Sequence, residues 1–183
     1  MKSSLADVFK GKNAEAILDE LSVRIYEPPL SALRDLLREL PPAIQIPMLV
    51  IDFNTEVEMQ GMLGFLENST GLYLDETIDA LRLIGSRFRA EVLENIRSIM
   101  ARHAVTPARL RADFDGSAEF DVTSFAKLHG EHLNAMANEI EAEAGRLRSN
   151  CDENLFELLG QYIEENKTAL LTEIRRCASG KQK

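Results

Sequence analysis

The chain has 183 residues, 45% of them apolar and 28% charged, a globular balance in which no run approaches the ~18 apolar residues of a membrane span. Its net charge of −9 repels nucleic-acid phosphates and anionic membrane surfaces at long range, which disfavours direct binding to either. Two cysteines, Cys151 and Cys177, make neither a disulfide framework nor a zinc site, and Met1-Lys2-Ser3-Ser4-Leu5-Ala6-Asp7 lacks the apolar stretch of a signal peptide, so a cytoplasmic location is expected.

Helical periodicity runs through the chain. Ala14, Ile17, Leu18, Leu21 and Ile25 form one apolar stripe, ended by Glu27-Pro28-Pro29. Leu30, Leu33, Leu36, Leu37 and Leu40 form the next, closed by Pro41-Pro42. Pro47 is expected to open a third helix through Leu49, Val50, Phe53 and Val57 toward Phe65 and Leu66, with Gly61 and Gly64 weakening its second half. Asn68-Ser69-Thr70-Gly71 is turn chemistry, after which Asp75, Ile78, Leu81 and Leu83-Ile84 predict a short capped helix stopped near Gly85. Val92, Leu93, Ile96, Ile99 and Met100 carry another to His103, and Thr106-Pro107 starts a separate short turn or helix.

From Arg111 to Val122 there is no helical stripe, so an exposed loop with room for a short strand is expected. Leu128, Leu133, Met136, Ile140 and Leu147 restore helical spacing. Leu155, Phe156, Leu159, Tyr162 and Ile163 give the clearest amphipathic segment, and Leu170, Leu171 and Ile174 mark a last helix. The fold expected is all-α, a single compact domain of roughly eight helices over residues 1–178 with a disordered tail at 179–183.

Charge is unevenly spread. Residues 51–80 carry −7, 81–111 carry +5 and 112–165 carry −10. Little in the sequence points to catalysis. His103, His129 and His132 lie in no nucleophile or base motif, and His129 with His132 lacks a third zinc ligand, so solvated histidines are expected. Gly61-Met62-Leu63-Gly64 lacks the spacing and lysine of a phosphate loop. The run from Asp113 to Asp121 is too short for an EF-hand, and its glycine and final acid are misplaced for calcium. No cofactor, metal or enzymatic activity is expected.

Acidic side chains are the more informative feature. On an ideal wheel Glu153, Glu157 and Glu164 fall within about 40° of one another, opposite Leu155, Phe156, Leu159, Tyr162 and Ile163, so their carboxylates point away from the core. Glu139, Glu141 and Glu143 extend the negative surface, and Asp113, Asp115, Glu119 and Asp121 make a second patch. The candidate partner-binding residues are therefore Glu139, Glu143, Glu153, Glu157, Glu164, Asp113, Asp115, Glu119 and Asp121.

The segment from Glu56 to Gly71 resembles the signature of a bacterial DNA-mimic protein family, approximately Glu-Val-Asn-Asn-Gly-Gly-Phe, then Gln-Phe-Phe, Asn-Ser and Gly separated by single variable residues. Glu56, Val57, Gly61, Phe65, Asn68, Ser69 and Gly71 match it, whereas Glu58, Met59 and Gln60 replace the asparagines and first glycine, and Met62 and Gly64 replace the aromatic and the glutamine. Ile78, Ala80-Leu81 and Ile84-Gly85, and later Leu155 to Leu159 with Tyr162-Ile163-Glu164-Glu165-Asn166, resemble the family's continuation and ending. Within the signature, Asn68 to Gly71 reads as a helix-ending turn and Glu56 as a buried carboxylate satisfied by backbone donors.

The resemblance implies an all-helical protein, a homodimer, whose negative surface occupies a basic DNA-binding partner such as a transcription regulator, without enzymatic activity. Met48, Met59 and Met62 near the signature are candidates for adaptable dimer contact, with core packing the plainer role. The alternative is an immunity or antitoxin-like protein that neutralises one toxin through a hydrophobic centre. A hydrolase using Glu56 and Glu58 ranks last, because two carboxylates without a base, metal or pocket define no reaction.

Overall fold

The computed structural model describes residues 9–116, 124–149 and 152–178, and among them every regular element is helical. The all-α expectation holds. The helices gather into two compact units, one built from the chain up to Ile51 together with the part from Asn154 onward, the other from Asp52 to Glu153.

In the first unit, α1 (Ala14–Arg24) starts where Asn13 Oδ1 accepts the Ala16 backbone N–H at 2.9 Å, and it buries Ile17, Leu18 and Leu21. It packs on α8 (Leu155–Ala178), which contributes Leu155, Leu159, Tyr162, Ile163, Leu170 and Ile174 to the core. Each fully buried aliphatic side chain of this kind is worth about 1.5–3 kcal/mol. The separate last helix expected at Leu170 is instead the continuation of α8, since no Gly or Pro interrupts Asn166 to Ile174.

The Leu30 to Leu40 stripe forms a 3-10 helix, Ser31–Glu39, rather than an α-helix, with Leu36 off helical geometry (φ −114, ψ 15). Its tighter winding buries Leu33 and Leu37 and leaves Leu36 and Leu40 half-buried. Gln45 Nε2 donates to Leu37 O at 2.7 Å, joining this helix to the next. That next helix, α2 (Pro42–Glu67), begins at Pro42, not at Pro47, which lies inside it. Its first ten residues are apolar on nearly every side. Ala43, Ile44, Ile46, Met48, Leu49, Val50 and Ile51 are all buried, so this stretch is a core helix of the first unit. Tyr162 Oη donates to Pro42 O at 3.2 Å.

The second unit takes the rest of α2, a 3-10 turn (Ser69–Tyr73), α3 (Leu74–Leu83), α4 (Arg87–Arg102), α5 (Pro107–Asp115), α6 (Phe125–His129), a 3-10 turn (Glu131–Leu133) and α7 (Asn134–Ser149). Helix α4 is its centre, packed on α3 and α7 through Val92, Leu93, Ile96, Ile99 and Met100. Gly85, at φ +90, ends α3 in a left-handed turn in which Ser86 N–H bonds Leu81 O at 2.8 Å.

No loop begins at Arg111, where one was expected. Helix α5 runs on to Asp115, held by the Thr106 cap, Pro107 in its first turn, buried Leu110 and an Arg111–Asp115 ion pair at i,i+4. The remainder of the expected loop, including Glu119 and Asp121, and the tail at 179–183 lie outside the described residues.

Candidate functional site

The signature residues build a corner. At Gly61 the backbone of α2 adopts φ +75, ψ −179, a conformation essentially reserved for glycine, and the helix axis kinks there. Glu56, five residues before the kink, accepts hydrogen bonds through Oε2 from Asn68 Nδ2 at 2.5 Å and Gln60 Nε2 at 3.1 Å. Its satisfying donors are thus side chains, not the backbone groups expected. Phe65 stacks edge-on against Phe53, with ring centroids 5.4 Å apart.

Gly71 comes so close to the end of α2 that a Cβ would lie 2.6 Å from the carbonyl oxygens of both Phe65 and Leu66. Val57 is half-buried and Ser69 exposed. The motif spaces residues so that a helix can kink, stop and turn back within sixteen residues. Met48 and Met62 are buried in the core, while Met59 is 76% exposed.

The described candidate carboxylates of the second unit, Glu139, Glu143, Glu153, Asp113 and Asp115, are engaged. Glu139 and Glu143 stand one turn apart on α7 and face α4. Glu139 accepts from His103 Nε2 at 3.0 Å and Arg102 Nη2 at 2.5 Å, contacts that hold its carboxyl below the usual glutamate range, His103 contributing most. Glu143 accepts from Asn95 Nδ2 at 2.9 Å and pairs with Arg146, which also reaches Glu91 at 2.8 Å. Asp115 pairs with Arg111 at 2.7 Å. Arg102 and Arg111 of the +5 segment thus each neutralise one carboxylate of its −10 neighbour.

Glu153 does not share a helix face with Glu157 and Glu164, because α8 begins only at Leu155. It caps α4 instead. Its Oε1 accepts the Phe88 backbone N–H at 2.8 Å, its Oε2 accepts Ser86 Oγ–H at 2.7 Å, and Arg89 Nη1 lies 3.4 Å away. Burial raises the pKa of this carboxyl, but the Phe88 and Ser86 hydrogen bonds and the Arg89 charge outweigh it and hold the group below the usual range. Ser86 makes no cap bond of its own to the start of α4, so a carboxylate from 67 residues downstream serves that helix terminus.

Asp113 belongs to a second engaged cluster. His129, expected to be solvated, has a fully buried side chain whose Nδ1 lies 3.0 Å from Asp113 Oδ2 and whose Nε2 lies 2.7 Å from Glu67 Oε1. Both ring nitrogens thus lie within hydrogen-bond distance of a carboxylate oxygen. The Phe125 ring covers it at 4.5 Å. Gly130, at φ +96, then breaks the chain direction and leaves His132 exposed, so the two histidines share no face. Among the described residues no group of three or more His, Cys, Asp or Glu side chains is arranged to hold a metal ion.

In the first unit the remaining candidates, Glu157 and Glu164, are exposed on α8, two turns apart. Asn154 Oδ1 accepts the Glu157 backbone N–H at 3.2 Å and so starts that helix. Glu164 has a 3.5 Å contact with Lys167, and no ion pair is formed by Glu157 among the described residues. These two carboxylates stand on a rigid element with their charge facing solvent.

The family model for DMP19-like proteins matches residues 38–166, which includes the signature corner and the first half of α8. No curated protein and no solved structure matches the chain.

Proposed function

The chain belongs to the DMP19-like protein family, and on that premise we propose that it is an acidic DNA-mimic-like protein that occupies the DNA-binding surface of a basic protein, such as a transcription regulator. Family membership across 129 of 183 residues carries this reading. Two further observations support it. The net charge is −9, and Glu157 and Glu164 project from one helix about 10 Å apart, so a partner's Lys and Arg side chains can meet carboxylates where they would otherwise meet phosphates. The reading includes a cytoplasmic location and assigns no turnover, metal or cofactor. Among the described residues no helix is long and apolar enough to cross a membrane.

Replacing Glu157 and Glu164 together by Gln tests it. Both side chains are exposed, so the fold should be retained, and capture of a basic DNA-binding protein at low salt should drop several-fold. Undiminished capture by the double variant would remove α8 from the mimic surface.

A further inference from the structure

Helices α1 and α8 enclose a groove of about 760 Å³, within the ~300–1,000 Å³ of typical ligand sites. Its walls are acidic: Glu15 and Asp19 stand one turn apart on α1, opposite Glu157 and Glu164 on α8, and no lysine or arginine lines it. Between the acidic walls lie Leu18, Phe156, Ala14 and Gly160, together with the uncharged polar side chains of Ser22, Asn154 and Gln161. Leu18 forms the floor, Phe156 leaves 41% of its surface exposed at the edge, and a Cβ placed on Gly160 would meet nothing within 4 Å. Ala14 and Gly160, the smallest side chains available, face it from either helix. Lys167, 3.5 Å from Glu164 on the same helix, is the nearest cation recorded for any of the four carboxylates among the described residues.

We infer that this groove seats a basic amphipathic helix of the partner, with an apolar side chain over Leu18 and Gly160 and arginine or lysine heads against the four carboxylates. This rests on the reading that the partner is a basic protein, and it adds that recognition is not by charge alone. Two acidic walls on either side of Leu18 and Phe156 fit an element that is cationic on both flanks and apolar along one stripe. An amphipathic helix with apolar residues at i and i+4 has that form, and helix-in-groove docking places such residues as anchors. Phosphate mimicry needs the carboxylates but has no use for the apolar side chains between them.

The test uses the full chain and three synthetic helical peptides followed by fluorescence anisotropy: one with Leu at i, i+4 and i+7 flanked by Arg, one with those Leu replaced by Ala, and one with the Arg replaced by Gln. The Leu/Arg peptide should bind, and either replacement should weaken it about tenfold or more. Gly160→Leu, which fills the empty space, should cost a similar factor, whereas Gly160→Ala should stay within about threefold and report that the helix still folds.

Equal binding of the Leu/Arg and Ala/Arg peptides, or unchanged binding by Gly160→Leu, overturns the groove while leaving the acidic reading in place. Failure of every Arg-bearing peptide to bind overturns both. A fall in molecular mass on Gly160→Leu by light scattering would assign the groove to a second copy of this chain and equally overturn the inference.

Discussion

Glu153 Oε1 accepts the backbone N–H of Phe88 at 2.8 Å, a hydrogen bond that closes the N-terminus of α4 with a carboxylate from the far end of the second unit. The side chain is 23% exposed. A glutamine amide keeps one acceptor oxygen and sets an NH2 donor in place of the other, so only one of the Phe88 N–H and the Ser86 hydroxyl keeps its acceptor. Glu153→Gln should therefore lose about 1–2 kcal/mol, read as a lowered midpoint in urea denaturation.

The same contact fixes a pH dependence. Glu153 and Glu139 are both held below the ordinary glutamate range in the folded protein, so their contribution is complete above that range and is lost as pH falls through the lowered values. Thermal scans should show the gap between the native protein and Glu153→Gln open at pH 7 and narrowing below about pH 4. A gap of constant size down to acid would show that the carboxylate's charge contributes nothing there.

His129 ties three elements together, bonding Glu67 at the end of α2 and Asp113 on α5 from its own place on α6. His129→Leu would keep the apolar contact with Phe125 and strand both carboxylates. Because Asp113 is 33% exposed and can regain water, the expected loss is about 2–3 kcal/mol rather than that of a fully buried pair. Chemical denaturation checks this, and a variant as stable as the native protein would show that the bridge is not holding the corner.

Glycine substitutions should divide by sign. Gly160 lies within α8 with open space at its Cβ, so Gly160→Ala should stabilise by about 0.5–1 kcal/mol. Gly61→Ala puts a side chain at φ +75 and should cost about 1–3 kcal/mol. At Gly71 the new Cβ would press into two carbonyl oxygens at 2.6 Å, so that variant should be the least stable of the three. Melting temperatures measured side by side decide the order.

What the sequence made legible follows from the range of the forces involved. Helix α1 could be placed because its cap Asn13 and its apolar stripe are neighbours in the chain. The corner at Asn68 to Gly71 could be placed because turn chemistry is local. Pro42 and Pro47 both suit a helix's first turn, and the choice between them was settled by the burial of Ala43, Ile44 and Ile46, for which the stripe rule has no register when every face is apolar. Glu153 and His129 were misread for the opposite reason. Their partners lie 67 and 62 residues away, and a carboxylate's spacing on a wheel carries no information about an arginine or N–H brought to it by folding.

Dimerisation is a separate consequence of the mimic reading, since a twofold-symmetric DNA-binding partner presents two basic surfaces. Light scattering coupled to size exclusion should give about twice the 20.5 kDa chain mass across a dilution series. A mass that stays at one chain at high concentration would restrict the mechanism to a single acidic surface per complex.

The most direct measurement of the central claim is a competition. The chain is immobilised, a captured protein is identified from lysate at low salt, and duplex DNA or added salt is then titrated against the complex. The account predicts a basic DNA-binding protein, displaced by duplex DNA and released steeply as salt rises, because both competitors act on the same Lys and Arg side chains. Capture of only neutral or acidic proteins, held equally at low and high salt and untouched by DNA, would contradict it.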